Sequence, residues 1–192
     1  MAKLDPAARK RERQKNIRWV VTIFFVTVAI SGTISLLSDI LMSGSSMLGA
    51  FLILLAIILI GIVFDIIGMA VATADEKPFH SMASRKVPGA QEAIQLLRNA
   101  ERVSSICNDV VGDICGVVSG SASATIAVQI LQNFEFGWPQ VVSLAMSALA
   151  AGLTVGGKAI GKSFAVNSCT AIVHTVGKAI YVLRGSSSKK KK

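Results

Sequence analysis

The sequence predicts an all-α integral membrane protein with about four transmembrane helices and amphipathic helices on the cytoplasmic side of the bilayer. Three observations predict it. The 192 residues are 52% hydrophobic and 16% charged, with a mean hydropathy of +0.60, too apolar for a soluble domain with a solvated surface. Several runs of bilayer length carry little or no charge. All 20 Lys and Arg fall in an N-terminal arm, a middle segment and a C-terminal region, and none in the turns at 42–46 and 133–138. By the positive-inside rule those three regions, and both termini, belong in the cytoplasm of a multi-pass cell-membrane protein.

The first 18 residues form a basic arm, followed by a first span at 19–41 whose uncharged stretch runs from Trp19 to Ser38. It is longer than a signal-peptide core and has no clear cleavage site, so it is expected to be retained. After the Ser43-Gly44-Ser45-Ser46 turn, a second span covers 47–74 and contains one charge, Asp65. Residues 75–102 are charged and broken by Pro78 and Pro88-Gly89. Ala93, Ile94, Leu96 and Leu97 give one apolar face, so this region is expected as short amphipathic helices lying at the membrane surface. A third span covers 103–134, and a fourth covers 138–157 behind Gly137-Trp138-Pro139, with Trp138 placed for an interfacial belt. A further helix is expected over 158–183, then a disordered basic tail over 184–192 attracted to anionic headgroups.

The charge of +9 sits beside hydrophobic runs and is not interleaved with aromatics, which points to the lipid bilayer and away from nucleic acid. Cys107, Cys115 and Cys169 match neither zinc nor disulfide spacing and are read as buried thiols. His80 and His174 lack a ligand partner at metal spacing, and the serines belong to no G-x-S-x-G elbow or Walker loop. No nucleophile, base and orienting group can be assembled, so an enzyme is not expected.

Ionisable groups inside spans default to functional candidates because each costs roughly 2.5–3.5 kcal/mol on insertion scales. Asp65 and the i, i+4 pair Asp109 and Asp113 are such groups, and the Asp75-Glu76 pair stands at the cytoplasmic end of the second span. Gly112, Gly116 and Gly120 form a small-residue stripe expected to let another helix approach closely, within or between protomers. Thr73, Asp75, Glu76, Asn108, Asp109 and Asp113 together offer the hard oxygen ligands that magnesium takes. The alternative is that these carboxylates are solvated at the interface or paired with Lys158, Lys162 or Arg102.

Three stretches, in order, resemble the transmembrane domain of the cyclin M / CorC (CorB) magnesium transporter family, over roughly residues 50–183. Ala72-Thr73-Ala74-Asp75-Glu76 is similar to the hydroxyl-rich end of that family's first span with its Glu. Glu101-Arg102-Val103 leading to Asn108-Asp109 and Gly112-Asp113 resembles the entry to its second span and the Gly-Asn there, Asn108 and Asp113 both being candidates for the Asn. Val155-Gly156-Gly157-Lys158-Ala159-Ile160-Gly161-Lys162, with Asn167 beyond, resembles the Gly-Glu-x-x-Pro-Lys end of its last span, but Lys158 stands for the acidic residue and Gly161 for the proline.

The resemblance implies a three-span core after an extra N-terminal helix, a homodimer, and transport of a divalent cation, magnesium, through a cytoplasm-facing acidic cavity. The family's nucleotide-binding CBS pair is not among these residues, so no nucleotide is expected. The alternative expectation is a non-transporting accessory or assembly protein that keeps the fold with Lys158 as an internal counter-charge.

Overall fold

A computed structural model describes residues 6–133 and 138–189. The chain is an all-α integral membrane protein, and among the described residues four helices are long and apolar enough to cross a bilayer: Ile17–Met42, Met47–Thr73, Ala100–Asn133 and Pro139–Asn167. The expected end of the third span at Phe134, the first residues of the turn before Trp138 and the last three lysines lie outside the described residues.

Helix α1 spans Pro6–Ser43 and α2 Met47–Thr73. Ser46 starts α2 by accepting the Gly49 N–H on its hydroxyl at 3.4 Å. The helix stops where Ala74 turns extended. Asp75 Oδ1 then accepts the Lys77 N–H at 3.2 Å, which with Pro78 in the first turn sets up α3, Lys77–Ser84. Lys86 and Gly89 both take positive φ, 56° and 88°, and the chain reverses into α4, Ala90–Arg98.

The third span begins as α5, Ala100–Ser105, widens into a π-helical segment, Ile106–Gly112, and continues as α6, Asp113–Asn133. Pro139 opens α7, Pro139–Asn167, and α8 covers Cys169–Lys189.

Helix α2 is the hub, packing on α7, α6 and the π segment, while α1 leans mainly on α6. Toward the 42–46 turn, Met42, Leu54 and Ile58 pack with Ala122, Ile126 and Met146. Ile23 and Ile34 of α1 lie against Val110, Ile114 and Val118 of the third span. The outward faces carry Phe24, Leu36, Leu52, Leu144 and Leu153, the apolar surface that lipid requires.

Three expectations change. The helices at 75–102 do not lie with their apolar faces on the membrane. Phe79, Ala93, Ile94 and Leu97 turn inward onto Val71, Ala165 and Val173, because α8 folds back beneath α2 and covers them. At that crossing Gly89 and Gly177 meet backbone to backbone, too close for any side chain on either. The helix expected from Lys158 begins instead at Cys169. Gly157 and Gly161 do not end the helix but are spent on close helix packing, and α7 runs on through Lys158 to Asn167. The stretch from Arg184 to Lys189, expected as a disordered tail, belongs to α8.

Candidate functional site

Two carboxylates and one ammonium from three helices meet within the spans. Lys158 Nζ of α7 lies 3.7 Å from Asp65 Oδ1 of α2 and 3.7 Å from Asp113 Oδ1 at the start of α6. Both distances exceed the roughly 2.7–2.9 Å of a direct charge-assisted hydrogen bond, so these are ion pairs without an interposed bond. The Asp65 side chain is 6% exposed, Lys158 20% and Asp113 73%.

The packing explains why they meet. Ile62 and Ile66 bracket Asp65 on one face of α2 and press onto Gly157 and Gly161, which bracket Lys158 on α7. A Cβ on Gly161 would stand 2.8 Å from Ile66 Cγ1, and one on Gly157 would collide with Ile62 Cδ1. Two glycines four residues apart thus bring the backbones together and set the lysine opposite the aspartate. Gly112 completes the recess: a Cβ there would lie 3.3 Å from Lys158 Nζ and 3.7 Å from Asp65 Oδ1.

One turn along α2 from Asp65, Gly68 receives Asn108, whose amide oxygen occupies the space a Cβ would need. Asn108 Nδ2 donates to Ser104 Oγ at 3.2 Å, while Asn108 Oδ1 and Asp65 Oδ2 are buried with no hydrogen-bond partner. Acceptors left unsatisfied in a span are costly, which marks this seam as a place for a donor or a cation.

The six expected magnesium ligands do not come together. Thr73 Oγ1 donates to the Met69 carbonyl at 2.8 Å, Asp75 accepts the Lys77 N–H ahead of α3, and Glu76 pairs with His80 at 3.3 Å. These lie at or beyond the end of α2, roughly 12 Å or more along its axis from Asp65. Asp109 accepts from Ser105 Oγ at 2.8 Å and is exposed. The i, i+4 pairing of Asp109 with Asp113 assumed an α-helix; the π segment ends at Gly112 between them and breaks that alignment. Among the described residues no three His, Cys, Asp or Glu side chains are grouped to hold a metal ion. The expected set therefore does not fit a divalent ion as it stands, and Lys158 is the cation that Asp65 and Asp113 face.

Other expectations resolve locally. Lys162, one turn beyond Lys158, is exposed. Arg102 stacks its guanidinium 5.4 Å from the centre of the Trp19 ring, tying α1 to α5. Within the protomer only Gly112 of the predicted stripe is in close contact; Gly116 and Gly120 have nothing within 4 Å of a Cβ position. Gly157-x-x-x-Gly161 was the spacing in the sequence that marked the tight contact. Asn108 against Gly68 and the π segment had no comparable signal beyond the polar cluster Ser104, Ser105, Asn108 and Asp109 inside an apolar run.

No protein-family model, curated protein or solved structure matches the chain.

Proposed function

We propose that this chain is a non-enzymatic, multi-pass membrane protein that handles a cation at the intramembrane site formed by Asp65, Asp113 and Lys158. One observation carries the reading: two carboxylates on separate helices converge on one ammonium inside the spans. Charges are placed there at a cost of several kcal/mol and mark ion pathways. When all three groups are ionised the site holds two negative charges and one positive, so one further positive charge would neutralise it. Asp65 Oδ2, buried without a partner, is an available oxygen ligand.

Magnesium is the ion that the family resemblance implies, and a homodimer is the assembly it implies. Gly116 and Gly120, open on the protomer surface, supply a face on which a second copy would pack. The distribution of Lys and Arg supports termini on the cytoplasmic side of the cell membrane.

The test is cation flux in liposomes reconstituted with the full chain. Uptake of Na+ is expected to require both Asp65 and Asp113 and to vanish in Asp65→Asn and Asp113→Asn, with Mg2+ assayed in parallel. A second reading, a non-transporting accessory protein, is favoured by Lys158 already facing both carboxylates. Flux equal to that of empty liposomes selects it.

A further inference from the structure

We infer that Lys158 is a tethered cation: its ammonium holds the place of a divalent ion between Asp65 and Asp113, and a divalent ion binds there only when the ammonium is absent. The inference deepens the cation-handling reading and rests on it.

Four features support it. The ammonium lies the same 3.7 Å from one oxygen of each carboxylate and so faces α2 and α6 at once. The recess around it is built, because Gly112 leaves open the volume next to Nζ that any side chain would take. The stem is held, because Gly157 and Gly161 on either side of Lys158 are clamped by Ile62 and Ile66. Finally, an ammonium has three donors and no acceptor, so it offers a metal ion no ligand and adds a like charge beside it. A divalent ion at this site would stand beside the Lys158 charge, even where it reaches the exposed Asp113 first.

Removing the amino group reverses the charge balance and leaves the recess in place. Two carboxylates on facing helices then have no counter-charge, and Asp65 Oδ2 is a spare hard oxygen ligand in a buried position. The chain would exchange a built-in cation for a dependence on a soluble one.

The experiment measures thermal unfolding of the detergent-solubilised full chain with and without millimolar Mn2+ or Mg2+, with Mn2+ binding followed by electron paramagnetic resonance. The chains are wild type, Lys158→Gln, Lys158→Met, Lys158→Arg and Lys158→Gln/Asp65→Asn. Either neutral variant is expected to bind Mn2+ and to gain several degrees in Tm with either ion. Wild type, Lys158→Arg and the double variant are expected to show neither effect.

A wild-type response as large as that of Lys158→Gln overturns the inference and leaves the cation-handling site standing. No response in any chain overturns the inference, while sodium flux decides the cation-handling reading separately. If both neutral variants stay unfolded in Mg2+ while Lys158→Arg folds, a divalent ion cannot replace the ammonium, and the inference falls on that result too.

Discussion

Asp65 and Asp113 face the same lysine but differ in what their loss should cost. Asp65 is buried, so Asp65→Ala leaves Lys158 largely enclosed and facing only an exposed partner. Breaking a buried pair in this way costs about 3–5 kcal/mol. Asp113 is 73% exposed, and pairs of that kind contribute about 0–1 kcal/mol. Chemical unfolding in detergent should rank Asp65→Ala well below Asp113→Ala; equal losses would mean that the two carboxylates share the ammonium evenly. Gly68 gives a second check. A Cβ at Gly68 strikes the Asn108 amide, so Gly68→Ala should destabilise the chain by about 1–3 kcal/mol, as overpacking does. Most of that loss should disappear when Asn108→Ala is added, a coupling that a double-mutant cycle reads directly.

Among the elements, those decided by local composition were legible in the sequence and those decided by neighbours were not. The second span was readable because every face of Met47–Thr73 is apolar apart from Asp65. The α3 and α4 helices were readable from Pro78, Pro88 and Gly89, but their burial was not. An apolar stripe on a short helix looks the same whether lipid or α8 covers it. The glycine stripes show the same limit: Gly112, Gly116 and Gly120 have the spacing of a tight contact, yet Gly157 and Gly161 are the pair that meets a neighbouring helix. Spacing marks where close approach is allowed, and tertiary packing decides where it is used. The Asp109–Asp113 pairing failed for a different reason, since the π segment changes the helical period that the argument assumed. Gly157→Leu or Gly161→Leu should therefore separate α2 from α7 and destabilise the protomer by at least about 1–3 kcal/mol. Gly116→Leu and Gly120→Leu should leave protomer unfolding unchanged and shift only the oligomer distribution seen by light scattering.

For the whole molecule, the bundle has a firm centre and a looser flank. Helix α2 touches nearly every other element, whereas α1 is held by a short apolar seam to the third span, by Met42 at its end and by Arg102 over Trp19. A cation–π contact contributes about 0.5–1 kcal/mol at exposed sites. Arg102→Ala should accordingly raise hydrogen exchange along α1 while the Tm of the remaining bundle holds. Orientation can be tested on the same molecule. With Cys169→Ser removing the half-buried thiol, a cysteine at Ser45 should react with an impermeant maleimide from outside the cell, and one at Lys86 only after the membrane is opened. Labelling of both from one side would contradict the four-span topology.

The wide turn at Ile106–Gly112 has a consequence for how this chain is able to vary. A π turn carries one residue more than an α-helix of the same rise, so the third span holds a single residue of slack. Deleting Val111 would let the turn close into α geometry without lifting either end of the span from the bilayer. It would also shift the residues inside the turn, Asn108 among them, while the helix on either side keeps its face. Asn108 would leave Gly68, and a different side chain would face α2. The identity of the group beside the Asp65–Lys158 pair is thus set by the gain or loss of one codon, with no substitution at the site itself.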